Sequence, residues 1–498
     1  MKKIIITLFI VSNITIFAAN QIVINSGDSG AGSLRQAIAD VGDGENVTFS
    51  SAITYPTTIT LSGGITLDKS INIIGRDDPW DIVIDGNENG FIFEQTSAGH
   101  NDIIFISGLV LSNANNSAFR QDPDSEGNEF TITNCVFVDN SITITAGDEN
   151  GGAINAAGDS TNIIINCTFT DNSNTSSDSD GGVMENQGYL KFYGCTFSGN
   201  YAGDDGGVLC CDDENGSGAA DIINCTFSGN TAGGRGAAIY CKIPSPVVAV
   251  VNIYNCTIVD NSGDYAAVFR NDGNSIMNIY SSILANNSPR DLRGDIAIVH
   301  NCIIEEEITD ITDAANNLTD DPGLSALANN GGSTKTHAFN DPATSPCVNN
   351  GVNSLSLSYD QRGPGYPREQ RDNIDIGSYE YSDLPSPIAN AAEDIEDNSF
   401  LASWSSVSEA TSYRLDVSTE SDFSSGDLDL TVNDTSTNVN DLLPNKDYYY
   451  RVRAYCPTDT SADSATIHVK TTPEPVLFSL MGLAILFLFR KNVPRTFF

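Results

Sequence analysis

Residues 224–230 read NCTFSGN, and close variants of that word recur along the chain: ITNCVFVDN at 132–140, IINCTFTDN at 164–172, FYGCTFSGN at 192–200 and IYNCTIVDN at 253–261. Aligned on Cys135, Cys167, Cys195, Cys225 and Cys256, the copies step by 32, 28, 30 and 31 residues. Two degraded copies follow, IYSSILANN at 279–287 and VHNCII around Cys302. An earlier copy, ISGLVLSN at 106–113, has Gly108 in the cysteine column. A repeat of this length signals a stacked or radial array of supersecondary units.

Period-two alternation identifies the element. Ile165, Cys167 and Phe169 are expected on one face, and Asn166 and Thr168 on the other. The same face takes Tyr193, Cys195 and Phe197, then Ile223, Cys225 and Phe227. Such alternation is that of a β-strand with one apolar side. Between the copies lie GGAI at 151–154, GGVM at 181–184, GGVL at 206–209 and GAAI at 236–239. Paired glycines allow a sharp corner, after which small apolar residues enter another strand. Each unit therefore holds two or three short strands, with the polar loops at 173–180 and 212–219 absorbing the variation in length.

Stacked, these units predict an all-β chain built on a parallel β-helix. Backbone groups pair with the coil above or below, and equivalent side chains form ladders at roughly 4.8 Å. The expected ladders are Cys135, Cys167, Cys195, Cys225 and Cys256; Phe137, Phe169, Phe197 and Phe227; and Asn140, Asn172, Asn200, Asn230 and Asn261. The asparagines are read as corner residues, tolerant of left-handed backbone and able to bond neighbouring main chain. A propeller blade needs about four strands in roughly 40 residues or more, which these units do not hold.

The chain has 498 residues with 65 acidic against 24 basic, a net charge of -41. That balance excludes a nucleic-acid partner, which requires a basic face. It also opposes adhesion to anionic lipid. No cofactor is expected, and calcium is the one cation the acidic loops bring into question. DGNENG at 85–90 and DPDSEGNE at 122–129 begin like calcium loops but have Thr96 and Thr133 where the bidentate Glu belongs. Met1-Lys2-Lys3, an apolar run to Phe17 and Ala18-Ala19 form a secretory signal over residues 1–19. The 11 cysteines include no C-x-x-C pair, so zinc and thioredoxin sites fail on spacing. The column cysteines are read as small buried thiols. Export also permits disulfides, although parallel, same-facing side chains disfavour them. Cys210, Cys211 and Cys241 are left open.

With these words in hand, the chain resembles the polymorphic outer membrane protein repeats, which form right-handed parallel β-helices of pectin-lyase-like shape in surface adhesins. The segment 32–38 (GSLRQAI) resembles the short helical entry of such proteins, followed by strands at 47–49, 58–61, 71–75 and 82–86. DPGLSALANNGG at 321–332, SPCVNNG at 345–351 and DIGSYE at 375–380 resemble the closing, choice-of-anchor-type segment of that family. Residues 383–472 resemble a fibronectin type III domain, with Trp404 as core tryptophan and Tyr448 as its tyrosine corner. Pro473, Glu474 and Pro475, an apolar run and a basic end resemble a PEP-CTERM sorting tail over 473–498. The resemblance implies a β-helix over 20–310, a closing segment over 311–382, and processing of the tail by an exosortase-type enzyme of a Gram-negative bacterium.

Many β-helices cleave acidic polysaccharides. Resemblance to polygalacturonases requires Asp pairs with Gly-His-Gly and Arg-x-Lys words, of which only Gly203-Asp204-Asp205 is present. His100, His300, His337 and His468 stand in no such word, and basic residues are too sparse for a lyase base. No catalytic residue is assigned. The RGD triplet at 293–295 is read as a solvated turn. The expectation is an exported structural or adhesive protein of the cell surface or matrix, with exopolysaccharide or cell-surface glycans as partners. The alternative is a lyase or hydrolase acting on acidic polysaccharide.

Overall fold

The structure, a computed structural model, describes residues 20–473 apart from 97–101, 123–126, 143–150, 157–159, 176–179, 212–217, 243–247, 271–274, 307–310, 370–372, 383, 409, 422, 424–427 and 457–458. The expected signal at 1–19 and most of the sorting tail, including Glu474 and Pro475, lie outside the described residues. The chain divides into two compact units that change over between Leu384 and Pro385.

In the first unit, three parallel sheets run the length of a β-helix. The first sheet has 12 strands, from Gln21–Val23 to Ile311–Ala315; the second has 10, from Thr57–Thr60 to Ile303–Ile304; the third has 9, from Ile65–Leu67 to Leu292–Arg293. One coil shows the order: Thr161–Ile165 in the first sheet, Thr168–Thr170 in the second and Met184–Glu185 in the third. The middle coils add a fourth sheet of two-residue strands, Ser141–Ile142, Ser173–Asn174, Tyr201–Ala202 and Thr231–Ala232. So the start of the stretch at 173–180, expected as loop, is a strand. The strand Ile311–Ala315 likewise carries the coil past residue 310.

The repeated word is two strands, not one. Asn134, Asn166, Asn224 and Asn255 have φ of 50, 53, 51 and 51°, and Gly194 takes the same place at 67°. A single left-handed residue turns the chain and resets the alternation, and Asn and Gly are the residues that tolerate it. The inward set is therefore Ile164, Cys167 and Phe169, not Ile165, Cys167 and Phe169; Ile165 and Tyr193 are half-buried on the outer side. A second corner follows the Phe column, at Asp139, Asp171, Gly199, Gly229 and Asp260 (φ 54–68°). The left-handed residue is thus the one before the asparagine column. Asn140, Asn172, Asn200, Asn230 and Asn261 themselves point inward and are buried. The expectation of a left-handed backbone at those asparagines is corrected accordingly.

Before the coils, Ser33 caps the helix Leu34–Asp40 by accepting from Gln36 N at 3.2 Å, and the helix buries Leu34, Ala37 and Ile38. After them, the described residues of 321–382 form a strap over the outer face of the second sheet. That face is a hydroxyl row, Thr196, Thr226 and Thr257, in register on adjacent coils. Gln361 Nε2 donates to Thr196 Oγ1 at 2.9 Å and Cys195 O at 3.2 Å, and Thr226 Oγ1 donates to Gln361 Oε1 at 2.6 Å. Ser378 N donates to Thr257 Oγ1 at 3.1 Å, and His337 Nε2 meets Ser228 Oγ at 3.0 Å. Burial lowers the His337 pKa. Inside the strap, Arg362 is clamped by Asp360 at 2.6 Å and lies 4.0 Å from the ring centres of both Tyr366 and Tyr379. Buried Arg368 and Glu380 face each other at 3.8 Å. Burial holds Glu380 well above the usual carboxylate range and pushes Asp375 up to about 6.

The second unit is a β-sandwich of antiparallel strands. Phe400–Ser403 pairs with Ser436–Val439, and Ser412–Ser418 pairs with both Leu428–Val432 and Asp447–Cys456. Trp404 is 3% exposed and its ring lies 5.6 Å from that of Tyr413. Tyr448 Oη accepts from Leu443 N at 2.9 Å, five residues upstream, which is the bond a tyrosine corner makes. Among the described residues, no helix is long and apolar enough to cross a membrane.

Candidate functional site

Three ladders occupy the interior of the repeated word. Phe137, Phe169, Phe197 and Phe227 stack with ring centres 4.7, 5.2 and 4.6 Å apart and interplanar angles of 15, 12 and 21°. Ile258 continues the column in register. Beside it, Cys135, Cys167, Cys195, Cys225, Cys256 and Cys302 are free, buried thiols. Each Sγ lies against the carbonyl oxygen two residues before it, as Cys225 does against Ile223 O at 3.2 Å and Cys167 against Ile165 O at 3.3 Å. Burial raises Cys167, Cys195 and Cys225 well above the ordinary thiol range and pushes Cys302 up to about 12. Thiols held neutral in this way are poor nucleophiles and poor metal ligands.

In the asparagine column, Oδ1 of Asn172, Asn200, Asn230 and Asn261 each accepts twice from the preceding coil, whereas Asn140 Oδ1 accepts from Ala114 N at 3.1 Å. Asn200 Oδ1 takes Asn172 N and Asn172 Nδ2, both at 3.0 Å. Asn200 Nδ2 donates onward to Asn230 Oδ1 at 2.9 Å and back to Phe169 O at 3.1 Å. The pattern continues through Asn230, Asn261 and Asn287. From Asn172 to Asn261 each side-chain amide thus makes at least two donated and two accepted bonds, as burial requires.

Chemistry of another kind gathers where the glycine words enter the third sheet. The residues before three of these words, Asp180, Asp205 and Arg235, stack on successive coils, with Gly181, Gly206 and Gly236 at φ of 68, 67 and 64°. Carboxylate oxygens of Asp180, Asp204 and Asp205 lie within 4.8 Å of one another. Asp205 N donates to Asp180 Oδ1 at 2.9 Å, Cys210 Sγ to Asp180 Oδ2 at 3.5 Å, and Arg235 Nη2 pairs with Asp205 Oδ2 at 2.9 Å. Burial, aided by the negative charge of Asp205 and Asp204 and opposed by the Asp205 amide, pushes Asp180 up to about 6. A carboxyl that titrates near 6 beside other carboxylates can act as a general acid. Acid pairs in glycosidases stand about 5–5.5 Å apart when retaining and about 6.5–9.5 Å when inverting, so this trio is tighter than either arrangement. Calcium takes 6–8 oxygens. Here the Asp205 carboxylate is engaged by Arg235 and both Asp180 oxygens already accept protein donors, so the trio fits such a cation only in part.

Gly203-Asp204-Asp205 was legible in the sequence, whereas Asp180 was not. Aligning the chain on Gly181-Gly182 and Gly206-Gly207 places Asp180 and Asp205 in one column, and that alignment was the available signal. In the calcium-like loop at 85–90, Asp85 Oδ1 accepts from Asn87 N at 2.9 Å and from Asn113 Nδ2 of the next coil at 3.2 Å. In the RGD triplet, the Arg293 guanidinium lies over the rings of Tyr265 at 5.2 Å and Phe269 at 5.8 Å. Pro473 is described and exposed, without its two partners.

Residues 194–212 and 224–242 match the Chlamydia polymorphic membrane protein repeat, and residues 386–469 match the fibronectin type III domain. No curated protein sequence matches the chain. Among solved structures, the fibronectin type III domain of the human KIAA0970 protein is similar at 19% identity over 18% of this chain and 77% of that one, with a TM-score of 0.17. The chicken CNTN1 FN1-FN3 domains are similar at 20% identity over 19% of this chain and 34% of that one (TM-score 0.18), and the FN5 domain of Drosophila Lar at 23% over 18% and 97% (TM-score 0.16).

Proposed function

We propose that this is an exported adhesive or structural protein of the cell surface or extracellular matrix. The observation that carries the reading is the match to polymorphic membrane protein repeats on coils whose thiols, rings and amides are all committed to internal ladders. A repeat so used specifies a stiff shape and leaves recognition to the outer faces and loops. The fibronectin type III domain supports an extracellular setting as spacer or binding module. In this reading, residues 1–19 direct export, residues 311–382 close the β-helix, and the tail from Pro473 is cut by an exosortase-type enzyme of a Gram-negative host. The test is to coat a surface with the full chain and measure attachment of host cells, glycans and matrix. Binding to none of them overturns the adhesive role. Deleting 473–498 should shift the protein from the envelope to the medium or leave it unprocessed.

The raised Asp180 carboxyl supports a second reading, cleavage of acidic polysaccharide with Asp180 as general acid, against which stands the close spacing of Asp180, Asp204 and Asp205. A panel of uronic-acid polysaccharides with and without calcium tests it: products that vanish in Asp180→Asn support it, and silence across the panel removes it.

A further inference from the structure

We propose that the strap is a proton-gated cover, seated on the coils while the buried Asp375–Glu380 pair keeps one proton and lifted as rising pH removes it, which bares the hydroxyl row of the second sheet. The inference stands apart from the surface role above.

Five ionisable side chains are sealed inside the strap: Asp360, Arg362, Arg368, Asp375 and Glu380, each no more than 6% exposed. Three carboxyls thus face two guanidiniums. Asp360 is saturated, accepting from Arg362 N at 2.8 Å, Arg362 Nε at 2.9 Å, Arg362 Nη2 at 2.6 Å and Glu380 N at 2.8 Å. Those donors fix it as the anion that pairs with Arg362. Arg368 is left with two carboxyls, so a neutral interior needs one proton on them. Asp375 gives its two oxygens to main-chain amides, Asn349 N at 2.8 Å and Tyr381 N at 2.6 Å. Glu380 accepts from Asp375 N at 3.1 Å and stands 3.8 Å from Arg368 Nε, beyond hydrogen-bonding reach. Arg368 Nη2 donates to the carbonyls of Asp375 and Gly377 at 2.9 and 2.6 Å, while Nε and Nη1 have no hydrogen-bond partner among the described residues. An ionised Glu380 would close on those N–H groups, so the gap marks Glu380 as the carrier of the proton. Burial, opposed by Arg368 and reinforced by Asp375, holds its carboxyl well above the usual range. Also facing the cluster, among the described residues, are Tyr193 of the coils and Tyr366, Tyr379 and Cys347 of the strap.

The cluster joins the two segments that grip the coils. In one, Tyr359 O accepts from Asn224 Nδ2 at 2.9 Å, and Gln361 bonds Thr196 and Thr226. In the other, Gly377 N donates to Ser281 O at 2.9 Å and Ser378 N to Thr257 Oγ1 at 3.1 Å. Gln361 N donates to Ser378 O at 2.9 Å and ties the two together. A further negative charge on Glu380 has no counterion there and drives the segments apart. Water can take over the hydroxyl and amide bonds when they lift, while Phe339, Cys347 and Ile376 keep an apolar hold on Val259, Ile283 and Ile303.

The direction follows from the raised carboxyl. The seated state binds the extra proton, so seating is strongest at low pH and weakens as pH rises towards the Glu380 value. Asp375, at about 6, and His337, lowered from an ordinary value of about 6.5, act below pH 6.5.

The test is hydrogen exchange of the full chain from pH 6.5 to 9, with each rate divided by the intrinsic chemical rate at that pH. The opening constant of peptides covering 359–368 and 377–382 should rise severalfold, by at most about tenfold per pH unit as one proton dictates, while coil peptides covering 219–232 stay protected. Glu380→Gln should make the profile flat. Asp375→Asn, which removes the competing charge, should flatten it too, and it carries the comparison if Glu380→Gln does not fold. His337→Gln should leave the profile as it is. A flat wild-type profile, a rise that survives the carboxyl substitutions, or coils that open together with the strap overturns the proposal.

Discussion

Replacing Asn200 measures what the buried amide column contributes. Its side chain makes four hydrogen bonds: two accepted from Asn172, one donated to Asn230 Oδ1 and one to Phe169 O, all between 2.9 and 3.1 Å. Each such bond is worth about 1 kcal/mol net, and unsatisfied buried partners cost more than the mean. Asn200→Ala strands Asn172 N and Phe169 O in a site that is 1% exposed. The expected destabilisation is therefore roughly 4 kcal/mol, a large part of the ~5–15 kcal/mol that stabilises an ordinary domain. Asn200→Asp sharpens the test. A carboxylate keeps the accepted bonds but faces Asn230 Oδ1 and Phe169 O, acceptor against acceptor. Burial and that repulsion raise its folded pKa above the unfolded value of about 3.9. A raised carboxyl pKa means that the folded state binds the extra proton, so the stability of this variant falls as pH rises from about 4 towards neutrality. Urea unfolding of both variants at pH 4.5 and 7.5, with hydrogen exchange at the Asn172 amide, reads the effect. Half-exposed Asn278→Ala serves as control, with a change under about 1 kcal/mol. If Asn200→Ala matches that control, or Asn200→Asp is insensitive to pH, the column is not a stabilising device.

Four further outcomes follow from the same packing. Phe197→Ala removes a ring stacked on both sides and should cost about 3–5 kcal/mol by chemical denaturation, whereas Phe197→Leu should cost clearly less. Iodoacetamide at pH 8 should leave Cys167, Cys195, Cys225 and Cys302 unmodified in the native protein and label them in urea, as read by peptide mass spectrometry. Gln361→Ala deletes the side chain that ties the strap to two threonines, so limited proteolysis should cut within 321–382 sooner while the coils stay protected. His337 has a lowered folded pKa. Its contribution is complete above the unfolded pKa of about 6.5 and is lost as pH falls through the lower folded value, so His337→Gln should flatten the loss of melting temperature between pH 7 and pH 5.

The sandwich was readable from Trp404 and Tyr448, because a large buried ring and a hydroxyl returning to nearby main chain are short-range features. The strap was readable as a segment but not as a cover. Its contacts join Gln361 to Thr196 and Thr226, residues 165 and 135 positions away, and nothing local in either stretch announces the other. Asp180 was missed for the same reason: its neighbours Asp204 and Asp205 belong to the next coil.

For the repeated word the division is sharper. The sequence by itself determined that equivalent residues stack, because a word that recurs every 28 to 32 residues puts Phe over Phe and Asn over Asn whatever the path between them. It could not determine which residues face inward. One left-handed residue at Asn224, with φ of 51°, shifts the phase of a period-two pattern within NCTFSGN, and a second at Gly229 turns Asn230 into the interior. Where that phase is reset depends on closing each coil onto the one before it. Closure is satisfied by backbone pairing between coils, a tertiary constraint that no alternation within a single word contains.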